Sequence, residues 1–406
     1  MADRIFLCLC HMSGREMDFI NEAFADNWIV PLGPNVTGFE KDLEKFFLTP
    51  PSKILAQTSR LGLGNKPDLI TDKRIVALSS GTAAIHLGLV QLGIKPTDEV
   101  IVQSFTFSAS ANPVTYLGAT PVFVDSEAET WNMDPQLLDE AIADRVKKTG
   151  KKPAAIIPVY LFGMPAKIKE ILEVAAKWEI PVLEDAAEAF GSEYDGQMCG
   201  TFGRYAALSF NGNKMITTSG GGALICPDER EAKSALSYAT QSREPYPWYQ
   251  HEKVGFNYRM SNICAGIGRG QMTIAKEHIA HHRHVQALYR ELLADCEQIC
   301  LHENPGPEFN SNFWLSTVTF DRGIKVKDND GCGVPEAVRR HLDKENIETR
   351  HLWKPMHLQP FFQGCPAYVN GVSEDLFKRG LCLPASPWVG DSEVKKIVTA
   401  LKDCLV

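Results

Sequence analysis

No apolar run in this 406-residue chain is long enough to cross a bilayer as a helix, which argues against a membrane-spanning protein. No basic run is present either, and the formal net charge is −8. Neutralising nucleic-acid phosphates takes clustered Lys and Arg, so a general nucleic-acid binder is set aside. The opening stretch "MADRIFLCLCHMSGREMDF" has too short an apolar core and too early an acidic residue for a secretory signal, which makes a cytoplasmic protein the expectation. The eleven cysteines are odd in number and lack framework spacing. They are expected to be reduced thiols packing as small hydrophobes. "CLCH" at Cys8 to His11 has no second CxxC or HxxxH to complete a zinc site and reads as the end of a strand. A nicotinamide-binding GxGxxG between a first strand and its helix is also missing, since no strand leads into "AGIGRG" at 265–270. No internal repeat or low-complexity tract is evident.

What is there has the balance of a soluble globular protein, with 44% hydrophobic and 23% charged residues. The length exceeds one ordinary core. From residue 73 onward, apolar β-branched runs at 74–80, 98–104, 120–125, 154–160 and 180–185 alternate with helical patterns such as "KIKEILEVAAKWE" at 167–179. Continuous apolar strands between amphipathic helices predict an α/β fold with a mostly parallel sheet covered on both faces. A large domain over 1–270 and a smaller C-terminal α+β domain over 271–406 are expected. The second opens with one long helical stretch, "GQMTIAKEHIAHHRHVQALYRELLADC". The turn-rich segment 50–73 reads as a surface insertion.

Three features carry chemistry. In "LSSGTAAIHLGL" a strand is followed by small residues and then a helix, an arrangement that offers free N–H groups to a phosphate or forms an ordinary helix cap. "VLEDAAEAFG" ends a buried-type strand on Glu184 and Asp185, at the edge where open α/β sheets bind ligands, although Asp185 could equally cap the next helix. Lys214 follows 29 positions later, in the loop "SFNGNKMITTSGGGAL" between two strand candidates, where a solvated lysine is the plain alternative. Together, an anion site, a strand-end carboxylate and an amine among glycines are what pyridoxal 5'-phosphate requires.

These residues also carry a resemblance. The run "EDAAEAFGSEYDGQMCGTFGRYAALSFNGNKMITTSGGGAL", with "SSGTAAIHLGL" before it and "GFNYRMSNICAGIG" after it, resembles the DegT-type nucleotide-sugar aminotransferases. The likeness runs in order from "WIVPLGPNVTGFE" to "PMHLQPFF". It implies a pyridoxal-phosphate fold of type I with a smaller C-terminal domain, and a homodimer with shared active sites. Lys214 is then the Schiff-base lysine and Asp185 the partner of the pyridine nitrogen. Ser80, Gly81, Thr82 and Ser209 match phosphate-binding positions. Phe107 matches the aromatic that stacks on the ring, with core packing as its alternative. Glu188 stands where the family often has glutamine near the cofactor hydroxyl. Asn257 matches a residue reaching the phosphate from the partner subunit, and His357 a position associated with the sugar nucleotide.

"SFNGNK" departs from the usual "SFHPSK" type and resembles enzymes making UDP-linked 4-amino-4,6-dideoxy-N-acetylglucosamine for bacterial glycans. The resemblance therefore implies transfer of an amino group, from glutamate, to C4 of a UDP-linked 4-keto-6-deoxy-N-acetylhexosamine. A 3-keto or differently nucleotide-linked sugar, or a non-catalytic pyridoxal-phosphate-binding regulator, are the alternatives. A sister group that dehydrates sugars has histidine at the lysine position, so Lys214 argues against that activity. His278, His281, His282 and His284 share helical spacing, yet no carboxylate or cysteine completes a metal site, and no metal is expected.

Overall fold

The computed structural model describes residues 4–48 and 72–406. The insertion expected at 50–73 thus lies outside the described residues except for its last two positions. The expected strands form as β1 (Arg74–Leu78), β2 (Glu99–Gln103), β3 (Thr120–Val124), β4 (Ala155–Ile157) and β5 (Leu183–Asp185). A short hairpin follows, β6 (Glu193–Tyr194) and β7 (Gln197–Met198), then β8 (Tyr205–Ser209) and β9 (Gly222–Cys226) on either side of the lysine loop.

Two ladders, β1-β9-β8-β5 and β4-β2-β3 with a later strand at its edge, meet through parallel bridges Ile156 to Val182 and Val159 to Asp185. Among the described residues only β9 runs against its neighbours in this sheet; the other pairings are parallel. The fold is α/β with a mostly parallel sheet. Because side chains alternate along a strand, Ile75, Ala77 and Ile101 enter one core while Val76, Leu78, Val100 and Val102 enter the other. The helices Pro34–Leu48, Pro135–Thr149 and Ile168–Trp178 close the first core, and Gly81–Gln91 and Glu229–Ala239 close the second. Both faces are dry, which is why the strands read as unbroken apolar runs.

The long helical stretch expected after 270 is two helices, Asn262–Met272 and Ala275–Leu293. At the break the Thr273 N–H and hydroxyl both take the Gly270 carbonyl, tightening and ending the first helix. "AGIGRG" lies inside that first helix, where Gly268 lets the Phe39 ring approach: a Cβ there would sit 2.7 Å from it.

The C-terminal part builds a second, antiparallel sheet. β10 (Ile299–Leu301) is followed by the two-residue β11 (Phe309–Asn310), which pairs with β6, and by β12 (Ser316–Phe320). β13 (Arg350–His351), β14 (Ala367–Tyr368) and β15 (Gly380–Leu383) complete the strands, and the sheet order is β10-β12-β15-β13. Helices Val334–Lys344 and Asp391–Asp403 and the end of Ala275–Leu293 cover it, giving a third core around Tyr289, Val338 and Leu401. We retain a division at 270/271 as a proposal. Several elements cross it: the helix Asn262–Met272 runs through the boundary, Ile5 pairs with Ile347, β11 pairs with β6, and β14 joins the large sheet beside β3.

Candidate active site

β1 ends at Leu78, and Ser80, in extended backbone, accepts a hydrogen bond from the Ala83 N–H on its side-chain oxygen at 3.0 Å. Ser80 is therefore a helix cap. The cap leaves the N–H groups of Gly81 and Thr82, which have no intrahelical acceptor, at the positive end of the helix dipole. The end of β8 lies against this turn: a Cβ on Gly81 would stand 2.9 Å from the Ser209 Cβ. One on Gly222, at the start of β9, would stand 2.4 Å from the Gly81 nitrogen. Glycine at 222 lets the lysine loop's return strand pass the helix terminus.

β5 delivers two neighbouring carboxylates to opposite faces of the sheet. Glu184 turns away from the cavity and accepts from the Tyr160 hydroxyl and from the Gly200 and Gly203 N–H groups at 2.8 and 2.6 Å. Asp185, only 4% exposed, faces the cavity and accepts from the Ser110 hydroxyl at 2.5 Å and the Ala187 N–H at 3.1 Å. Burial pushes the Asp185 carboxyl above its ordinary range, and these two donors pull it back down.

Lys214 projects from the 210–221 loop. Its Nζ lies 3.2 Å from the Glu188 Oε1 and 3.8 Å from the centre of the Trp314 ring. Glu188 is itself held by the Phe162 N–H, 2.7 Å from Oε2, with Phe162 in the left-handed region at φ 54°. Trp314 donates its indole N–H to the Asn213 carbonyl, next to the lysine, at 2.7 Å. The Cys8 thiol shares that carbonyl at 3.1 Å, and burial pushes this thiol up to about 12.

Asp185, Glu188, Asn213, Lys214 and Trp314 line one cavity of about 310 Å³. Of the residues expected from the sequence, it gathers Ser80, Gly81, Thr82 and Ser209 at one end, and Asp185, Glu188 and Lys214 along one wall. Phe107 is 56% exposed at the mouth, 5.8 Å from the Trp353 ring, so it is no core residue. Two residues are not brought in. Asn257 is exposed and pairs with Thr240 away from the cavity. His357 fastens the end of β2 to the helix Val372–Arg379, with its ring nitrogens 2.6 Å from the Ser104 hydroxyl and 3.4 Å from Glu374. Sequence reasoning missed Trp314, Trp353 and the pair Thr106 and Ser110. For the last pair a signal existed, two hydroxyls four apart around Phe107 in "SFTFSAS".

The four helix histidines diverge. His278 faces the Met215 carbonyl and His11, His281 the Val389 carbonyl, His282 the Phe313 carbonyl and His284 the Asp391 carboxylate. Among the described residues no group of three or more His, Cys, Asp or Glu side chains is placed to hold a metal. Among the same residues no helix is long and apolar enough to cross a membrane.

The cavity fits pyridoxal phosphate. Free helix N–H groups and the Ser209 hydroxyl suit the phosphate, and the Lys214 amine stands within the same space. Asp185 is buried with hydrogen bonds from neutral donors only, and a charge so placed is stabilised by a protonated ring nitrogen opposite it. An anion-binding helix terminus, a strand-end aspartate and a loop lysine on a mostly parallel sheet define a pyridoxal-phosphate enzyme of fold type I. The chain belongs to the DegT/DnrJ/EryC1/StrS aminotransferase family, whose sequence profile matches residues 67–402. It is 42% identical to EpsN of Bacillus subtilis strain 168, named among the pyridoxal phosphate-dependent aminotransferases, over 99% of this chain and 96% of that one. It is 34% identical to GDP-perosamine synthase of Caulobacter vibrioides over 99% of each chain. Further relatives bear the names of aminotransferases of UDP-linked 3-oxo or 3-dehydro sugars. Among solved structures, a DegT DnrJ EryC1 StrS aminotransferase from Brucella abortus superposes with a TM-score of 0.80 at 28% identity, over 96% of this chain and 95% of that one. The protein is a pyridoxal-phosphate-dependent sugar aminotransferase.

Proposed function

We propose that this enzyme moves an amino group from glutamate to C4 of a UDP-linked 4-keto-6-deoxy-N-acetylhexosamine, as a cytoplasmic homodimer serving bacterial glycan assembly. The observation that carries the reading is the placement of the Lys214 amine, between Glu188 and Trp314, in the same cavity as Asp185 and the helix terminus. Pyridoxal phosphate, when bound, supplies the electron sink and stores the amino group between two half-reactions. The chain's own residues do the rest. Ser80, Gly81, Thr82 and Ser209 would hold the phosphate, Asp185 would pair with the ring nitrogen, and Phe107 would pack on the ring. The Lys214 amine would move the α proton of the amino donor, acting first as base and then as acid. Glu188 accepts from the lysine Nζ and so holds it near the reacting carbon. The bulk of the nucleotide supplies remote binding energy that positions the sugar carbonyl.

The choice of C4 and of UDP rests on the likeness around "SFNGNK". The names of the relatives, with a GDP sugar among them and 3-oxo sugars among others, favour testing a second reading in which carbon or nucleotide differs. Incubation with glutamate and the 4-keto or 3-keto UDP sugar, or the GDP-linked 4-keto sugar, followed by NMR location of the new amine, decides it. Amination at C4 of the UDP sugar is expected. Amination confined to C3 or to the GDP sugar overturns the substrate and leaves the aminotransferase, and failure to convert glutamate to its keto acid, where another amino acid is converted, overturns the donor.

A further inference from the structure

Beside Asp185 stands a chain of two hydroxyls that no step above uses, Thr106 at the cavity wall and Ser110 between it and the carboxylate. Thr106 and Ser110 are each 1% exposed, their oxygens are 2.7 Å apart, and the Ser110 Oγ is 2.5 Å from the Asp185 Oδ2. A serine hydroxyl has one proton. When Ser110 donates it to Asp185, the Ser110 oxygen can only accept from Thr106, so the whole chain points toward the carboxylate. The opposite polarity requires Asp185 to carry a proton and donate it to Ser110. A reversed chain is thus open only to a protonated Asp185, while the chain as it stands, pointing at the carboxylate, favours the anion. The other carboxylate oxygen takes the Ala187 N–H, a donor that cannot reverse.

We propose that Ser110, backed by Thr106, is a positioning residue that keeps Asp185 anionic for the cofactor ring nitrogen and at the same time pins the loop carrying Phe107. The two hydroxyls sit on either side of Phe107, and the Ser110 N–H closes the turn onto the Phe107 carbonyl at 3.2 Å. One buried chain thus ties the residue that opposes the ring nitrogen to the residue that covers the ring face. The charged groups facing Asp185 are Glu188, from the turn after β5, and Lys214, from the loop after β8, and they act in opposite senses; the 104–111 loop brings hydroxyls and no charge. The net preference of Asp185 between its two states is then left to burial on one side and to neutral donors on the other.

The inference rests on the assignment of Asp185 to the ring nitrogen, and the experiment separates the two. The dissociation constant of pyridoxal phosphate is measured between pH 5.5 and 8.5 for the wild type, Ser110→Ala, Thr106→Val, Thr106→Ser and Asp185→Asn, with Tm alongside. A hydrogen bond to a charged group is worth enough that Ser110→Ala should weaken binding about tenfold or more at pH 7. Losing a donor moves the carboxyl further up, so the defect should deepen as pH falls and shrink as it rises. Thr106→Val should move affinity and pH midpoint the same way by a smaller factor, and Thr106→Ser should restore both. Asp185→Asn should bind weakly with a flat pH profile. Ser110→Ala and Thr106→Val proteins with lowered Tm but wild-type affinity and pH midpoint would overturn the relay while Asp185 keeps its role. Wild-type binding by Asp185→Asn would overturn the assignment beneath it.

Discussion

Lys214 has two neighbours that fix it in different ways, a carboxylate that accepts from its Nζ and an indole face beneath it, and the indole also holds the backbone one residue back. Lys214→Ala should abolish transamination while cofactor still binds without a covalent link, read as loss of the visible absorbance band with cofactor retained on dialysis. Trp314→Phe keeps a ring face and removes the N–H donor, so kcat should fall by about tenfold, the value of one hydrogen bond. Trp314→Leu removes both and should fall further in the same steady-state assay. The two deeply buried histidines make a different prediction. Burial holds His302 at about 4 and His282 at about 3, against an ordinary 6.5. An unfolded chain takes up these protons below pH 6.5 and the folded one does not, so stability is undiminished above 6.5 and falls as pH drops toward 4. Each histidine should cost about 2 kcal/mol at pH 5. The urea midpoint at pH 7 and pH 5, wild type against His302→Gln, isolates one share. The placement of residues such as Ser80 and Asp185 at strand and helix ends was legible in the sequence because strand, turn and helix signals surround them. Trp314 was not, because a hundred positions separate it from the lysine it supports. His357 looked available for a ligand because Ser104 and Glu374, which occupy its ring nitrogens, meet it only in the folded chain.

The glycine triplet 220–222 shows how an element can be read correctly and explained incompletely. Room for a cofactor is the sequence-level account, and Gly220 and Gly221 do line the cavity. Gly222, however, is required by the protein itself, since its missing Cβ would fall 2.3 Å from the Ser80 carbonyl carbon. A backbone cannot yield as a side chain does. Gly222→Ala should destabilise the fold by at least about 2 kcal/mol and weaken cofactor binding by displacing the Gly81 and Thr82 N–H groups. Thermal unfolding with and without pyridoxal phosphate measures both effects, and wild-type behaviour in each would refute the contact. Strand positions were legible throughout the large sheet, but the reversed direction of β9 was not. A strand buried on both faces reads as the same apolar run whichever way it points. The helix break at Thr273 was hidden because hydrophobic periodicity continues across it.

At the scale of the whole molecule, one chain does not present Asn257 to its own cavity, and Trp248, Tyr249 and Val254 nearby are all exposed. That exposure supports the proposed homodimer with shared sites. Mixing Lys214→Ala with Asn257→Ala protein, each inactive or nearly so, should restore up to about a quarter of wild-type activity, since half of randomly formed dimers carry one intact site. No recovery after subunit exchange, checked by mass spectrometry of the mixed dimers, would argue that each chain is self-sufficient. The sheet order has a further consequence. Among the described residues β1 is an edge strand whose ladder partner is β9, nearly 150 residues later in the chain, and the helix turn at Ser80 is packed by the same late strand. During synthesis, when residues emerge from the ribosome in order, β1 and the turn at Ser80 are made well before the strand that completes them. A nascent chain that stops short of Gly222 leaves β1 with a bare hydrogen-bonding edge, the kind of surface on which chaperones act and chains aggregate. The turn at Ser80 therefore waits for residues 222–226 before its packing is complete.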